Sequence, residues 1–214
     1  MNIIDTPTKR VLKKRDNKPI SVVLHSTGET DLDKILAWYT HPEGLGPHYF
    51  IETIGTVRRI AAENLIAYHA KIDKAEANLY QMGYQYWSQW IWLKDKPVNK
   101  GEEQSNYRLW RETWRDQGKQ SPLDLVTKSS PNTFSVGIEL QQPTSPTADI
   151  FTDEQYDSLT QLLIDIGKRN DIALDREHIL GHYDVSPMRR SNSKGSWDPG
   201  EKFSFNRLFD LITL

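Results

Sequence analysis

Short apolar runs alternate along the chain with segments whose apolar residues recur every three or four positions, and these two periods separate strands from helices. Ile20-Ser21-Val22-Val23-Leu24 has the β-branched, apolar composition of a buried strand and ends at His25-Ser26-Thr27-Gly28. From Asp31 onward Leu32, Ile35, Leu36 and Tyr39 fall at helical spacing, and His41-Pro42-Glu43-Gly44 stops the pattern. His48 to Glu52 and Thr56 to Ile60 are two further strand-like runs joined through Ile54-Gly55, which predicts a hairpin. Phe134 to Leu140 is another strand candidate, with Glu139 near its end. Thr152 and Gln155 have capping-box spacing, and Tyr156, Leu159, Leu162, Leu163 and Ile166 follow on one helical face. A last short strand, His178-Ile179-Leu180, runs into Gly181-His182. This alternation predicts an α/β domain, a mixed central β-sheet flanked by helices.

Two stretches fall outside the pattern. Residues 1–19 carry Lys9, Arg10, Lys13, Lys14, Arg15 and Lys18 against Asp5 and Asp16, with no apolar period. They read as a basic N-terminal arm ahead of a single domain over 20–214, either solvated or attracted to an anionic cell envelope. Roughly 71–132 holds five of the seven tryptophans: Trp87, Trp90, Trp92, Trp110 and Trp114. Tyr86, Trp90 and Leu93 can share one helical face and Tyr107, Trp110 and Trp114 another, so this tryptophan-rich insertion reads as a helical pair packed through its aromatics. The alternative is a stacking wall for sugar rings, or a partner surface.

Composition narrows the function. A formal net charge of −2 over 214 residues argues against a dedicated nucleic-acid binder. The absence of cysteine removes disulfides, thiolate nucleophiles, Cys-type zinc fingers and iron–sulfur clusters together. No run approaches the roughly 20 apolar residues of a membrane helix, so no membrane insertion is expected. The opening residues have no apolar run behind their charges, and synthesis in the cytoplasm without a signal peptide is the expectation.

Of the six histidines, His25 and His182 each follow a strand candidate, and Asp184 and Asp198 lie close behind His182. Two imidazoles and a carboxylate, with a fourth position open to water, are the donor set of a catalytic zinc site.

Five blocks occur in one order: Val23-Leu24-His25-Ser26-Thr27; Gly46-Pro47-His48-Tyr49-Phe50-Ile51 with Gly55-Thr56-Val57; Ala67-Tyr68-His69-Ala70; Phe134 to Leu140; and Gly181-His182-Tyr183-Asp184-Val185-Ser186-Pro187 with Asp198-Pro199-Gly200. In these blocks the chain resembles the zinc-dependent N-acetylmuramoyl-L-alanine amidases, which include phage endolysins, bacterial amidases and animal peptidoglycan-recognition proteins. The resemblance implies one Zn2+ held by His25, His182 and Asp198, with Glu139 as proton shuttle. Asp184 is a rival ligand, but its spacing of two from His182 is awkward for joint ligation, and Asp198 is preferred. The family usually places a cation two residues before the last ligand, where this chain has Ser196. Asp198 follows His182 by 16 positions, and Ser191 to Gly195 reads as inserted, so the oxyanion role stays open between Lys194 and Arg190. His69 is expected to shape a substrate groove. His48 is a second substrate-binding candidate, its plainer reading being a hydrogen-bonded hairpin residue. His41 and His178 carry no functional claim.

The activity implied is hydrolysis of the amide between N-acetylmuramic acid and L-alanine, with peptidoglycan or a muropeptide as partner. The aromatic insertion leans the reading toward a phage or prophage lysin released to the cell wall through a holin. Cytoplasmic recycling of soluble muropeptides, a non-catalytic peptidoglycan-binding module and a metallohydrolase acting on another amide are the alternatives.

Overall fold

The computed structural model describes residues 3–70, 130–142, 151–185, 198–200 and 203–214. Among them are six strands: β1 (Ile3–Asp5), β2 (Ser21–Ser26), β3 (Tyr49–Ile51), β4 (Val57–Arg59), β5 (Ser135–Leu140) and β6 (Ile179–Gly181). Five helices accompany them: α1 (Leu32–Tyr39), α2 (Pro131–Phe134), α3 (Asp153–Asn170), α4 (His182–Val185) and α5 (Phe205–Thr213). The strands form one sheet in the order β1-β4-β3-β5-β2-β6. β3, β5, β2 and β6 run parallel, whereas β4 is antiparallel to β3 and parallel to β1. The mixed α/β sheet expected from the sequence is therefore the fold. Most of the tryptophan-rich insertion, from 71 to 129, lies outside the described residues.

Alternation of side chains divides the sheet into two faces with different tasks. Val22 and Leu24 of β2, Tyr49 and Ile51 of β3, and Val136, Ile138 and Leu140 of β5 join one core with Tyr156, Leu159, Leu162, Leu163 and Ile166 of α3. Phe203, Phe205 and Leu208 close that core. The opposite face packs Phe50 against Ile35 and Tyr39 of α1. The intervening positions, His25 in β2 and Gly137 and Glu139 in β5, belong to this second face by the same alternation. The larger apolar core thus supports a sheet whose other side is free to carry polar chemistry.

The helices that hold this arrangement start where their caps are. Asp31 accepts hydrogen bonds from the Asp33 and Lys34 amides at the start of α1. The Thr152–Gln155 capping box opens α3 as its spacing predicts, and Asp171 closes it in a left-handed conformation at φ 61°. Gly55 turns the β3–β4 hairpin at φ +80°, where a Cβ would meet the Glu154 carbonyl oxygen at 2.8 Å.

The basic N-terminal segment is built into the domain. Ile3, Ile4 and Asp5 pair with Val57, Arg58 and Arg59. Arg15 is only 7% exposed, and its guanidinium donates to the carbonyls of Leu65 (2.8 Å), Thr133 (3.2 Å) and Ser135 (3.0 Å). Burial lowers its pKa to about 10, partly opposed by Glu63. A three-residue edge strand is too short to show a period, and composition alone could not separate a buried arginine from solvated ones.

Candidate active site

His25 lies near the C-terminal end of β2, His182 begins α4 directly after β6, and Asp198 comes from the segment before α5. Their donor atoms converge: His25 Nδ1 is 3.0 Å from His182 Nδ1 and 3.2 Å from Asp198 Oδ2, and His182 Nδ1 is 3.0 Å from that same oxygen. All three residues are buried. The Ser26 amide donates to Asp198 Oδ1 at 2.6 Å, so the other oxygen is the one aimed at the imidazoles. Burial alone would raise the Asp198 pKa, but charge and hydrogen bonds from His25 and His182 outweigh it and hold the carboxyl below the usual range. Three lone-pair donors meeting at one buried point suit a divalent metal ion, and this is the one such group among the described residues.

Beside this trio opens a cavity of about 620 Å³, lined in part by Tyr39, Tyr68, His69, Asn132, Glu139 and His182. Glu139 is the register partner of His25 across the β2–β5 pair. Burial raises the Tyr39 hydroxyl pKa well above its ordinary value, and the charge of its hydrogen-bond partner Glu139 adds to the effect.

The profile of the N-acetylmuramoyl-L-alanine amidase family matches residues 15–201, most of the chain. The chain belongs to this family of enzymes. No curated protein sequence matches the amidase. Among solved structures, a selenomethionine derivative of AmpD shares the fold at TM-score 0.61 and 20% identity, over 98% of this chain and 94% of that one. The endolysin N-acetylmuramoyl-L-alanine amidase LysCS from Clostridium intestinale URNW aligns at 0.54 and 16% identity, over 100% and 96%. AmiD from E. coli, in complex with the substrate anhydro-N-acetylmuramic acid-L-Ala-D-gamma-Glu-L-Lys, aligns at 0.55 and 20% identity, over 91% and 57%.

Other residues singled out in the amidase sequence take different positions. Asp184 does not join the His25–His182–Asp198 group. Its Oδ2 accepts from the Gly181 amide (2.7 Å) and from Arg176 Nη2 (2.8 Å), which pins the turn from β6 into α4 that presents His182. His69 lines the cavity and reaches His25 Nε2 through Nδ1 at 3.0 Å. Burial, then the neighbouring His25, His48, His182 and Arg15 charges, lower its pKa well below the ordinary value.

His48, the second substrate-binding candidate, is 0% exposed. Its Nδ1 accepts from the Gly137 amide (2.9 Å) and its Nε2 faces the Leu65 carbonyl (3.1 Å), so the ring is a buried brace between β5 and the hairpin. Lys194 and Arg190 lie outside the described residues. Tyr39, Trp38 and Asn132 also line the cavity and have no role in the sequence reading; at helical or turn spacing they are indistinguishable from packing residues.

Among the described residues no helix is long and apolar enough to cross a membrane.

Proposed function

We propose that the amidase is zinc-dependent, that one Zn2+ is held by His25, His182 and Asp198, and that it cleaves the N-acetylmuramic acid–L-alanine amide of peptidoglycan as a phage or prophage lysin. The observation that carries the reading is the 3.0–3.2 Å convergence of the three donor atoms. Tetrahedral zinc with bonds of about 2.0–2.1 Å keeps its ligand atoms roughly 3.4 Å apart, close to this spacing. A complete ligand set beside a cavity favours an enzyme over a binding-only module.

When bound, the ion polarises the scissile carbonyl and makes water more acidic. Glu139 accepts a proton from the attacking water and returns it to the departing L-alanine nitrogen as the C–N bond breaks. Tyr39 holds the Glu139 carboxylate by hydrogen bonding. Lys194 or Arg190 supplies positive charge for the oxyanion. The lysin role rests on the sequence, where five tryptophans fall in the 71–132 insertion between the blocks shared with the family.

Purified sacculi treated with zinc-loaded, chelator-treated and zinc-restored protein test the reading by mass spectrometry. Free stem peptides beginning at L-alanine, lost on chelation and regained with zinc, are expected. Release only from soluble anhydromuropeptides, the kind of substrate bound by AmiD, would replace the lysin role with recycling. Undiminished activity after complete metal removal would overturn the zinc dependence.

A further inference from the structure

Behind the metal-binding trio lies a chain of ring and hydroxyl contacts that ends on a backbone carbonyl. His25 Nε2 is 3.0 Å from His69 Nδ1, His69 Nε2 is 3.3 Å from Ser135 Oγ, and Ser135 Oγ is 2.6 Å from the Pro131 carbonyl oxygen. We infer that His69 is a positioning residue, whose contacts with Ser135 and His25 fix His25 in the tautomer that turns the Nδ1 lone pair toward the metal. This rests on the zinc reading above.

The direction of the chain follows from counting protons. A carbonyl only accepts, so the short contact uses the single hydroxyl proton of Ser135. Ser135 Oγ then accepts from His69 Nε2–H, which leaves His69 Nδ1 as an acceptor. His25 must fill it with Nε2–H, and a neutral His25 therefore carries its lone pair on Nδ1, the atom that faces His182 and Asp198. Each step is set by the one behind it, back to a carbonyl at the first residue of α2.

The backbone is shaped to hold the His69 ring there. The Asn132 side-chain oxygen accepts from the His69 amide (3.1 Å) and the Ala70 amide (2.8 Å), anchoring the segment that carries the ring. Gly137 sits between Ser135 and Glu139 in β5, and a Cβ placed on it would lie 2.3–2.6 Å from His69 ring atoms. A strand interior ordinarily disfavours glycine; here the missing side chain is the space the imidazole occupies.

Outer partners of metal-binding histidines commonly contribute about 10–100-fold in metal affinity. The test compares zinc affinity, by competition with a chelator, in the full-length protein and in His69→Leu, His69→Asn and Gly137→Ala, with thermal melting of each metal-free form as the folding control. Leucine keeps bulk without an acceptor, whereas asparagine returns an oxygen near the Nδ1 position. His69→Leu and Gly137→Ala should weaken zinc binding about 10–100-fold, and His69→Asn should recover most of the loss.

Histidine nitrogen NMR on the zinc-loaded parent reads the tautomers without any substitution. Protons on Nε2 of both His25 and His69 are expected. A His69 proton on Nδ1, or a folded His69→Leu protein with parental zinc affinity, would overturn the inference. Failure of the parent itself to bind zinc is a different result, which removes the zinc reading before any variant is made.

Discussion

His25 and Glu139 stand directly opposite each other on the neighbouring parallel strands β2 and β5, so a candidate metal ligand and a candidate proton carrier leave the same face of the sheet side by side. Their relative position is set by the strand ladder, whose residues are buried beneath them. Glu139→Gln keeps the shape and removes the base. It should lower kcat by about 10²–10⁴-fold with zinc content unchanged, measured by turnover and metal analysis on the same sample. Tyr39→Phe, which deletes the hydrogen bond to that carboxylate, should lower kcat about tenfold or more, in line with about 1.5–3 kcal/mol for a hydrogen bond to a charged group.

Asp184 and Asp198 should separate cleanly on substitution. Asp198→Ala removes a donor from the trio and is expected to abolish stoichiometric metal binding. Asp184→Ala leaves Arg176 without its buried carboxylate and the Gly181 amide without its acceptor. Loss of one partner of a buried ion pair costs about 3–5 kcal/mol, visible as an earlier denaturant midpoint, while the metal-loaded protein still binds one ion. Metal loss in Asp184→Ala with unchanged stability would reverse the two assignments.

Acid should destabilise the metal-free protein in a defined window. Burial pushes the His48 imidazole down from 6.5 to about 4; Arg15 reinforces the shift, and the Leu65 carbonyl and Glu63 oppose it. Below pH 6.5 the unfolded chain takes up a proton that the folded chain refuses until about pH 4, so stability falls across that interval and levels off beneath it. The span corresponds to roughly 3 kcal/mol. His69 is shifted in the same direction, and Asp198, held below the carboxylate range, adds its loss only under about pH 3.8. Denaturant titrations from pH 7 to pH 4 should show a shallower decline for His48→Gln than for the parent.

Trp38 is 51% exposed and Leu45 47%, and both line the cavity together with the polar side chains of His69, Glu139 and His182. Exposed apolar groups gathered at a cavity mark ligand contact. An aromatic contact worth about 0.5–1.5 kcal/mol predicts that Trp38→Ala raises KM roughly 2–10-fold with kcat nearly unchanged. Steady-state kinetics on a soluble muropeptide would show whether KM moves at all.

The sequence was informative where a residue's neighbours repeat a period or a cap. The end of β2, the Thr152 cap and the strand before His182 were legible in this way, and with them the approach of two histidines to one end of a sheet. Choosing Asp198 over Asp184 needed the family resemblance, because both carboxylates follow His182 and only the Arg176 contact reveals what Asp184 does. β1 and the burial of Arg15 were hidden because three residues give no period and a guanidinium saturated by carbonyls looks, in sequence, like any other. Helix α5 is a further element beyond those marked by the apolar pattern, and its Phe205 and Leu208 close the core. His48 drew attention as a histidine in a shared block, yet its conformation answers the backbone needs of β5.

The donor atoms that converge on the candidate metal site are far apart along the chain: 157 positions separate His25 from His182, and 173 separate it from Asp198. An ion shared among them is therefore a removable crosslink across most of the polypeptide, acting on loop closure much as a disulfide would in a chain that has no cysteine. At a free ion concentration 100 times the dissociation constant it adds about 2.7 kcal/mol to the folded state. On the zinc reading proposed above, the supply of that ion would set how long the enzyme survives proteases as well as how fast it works.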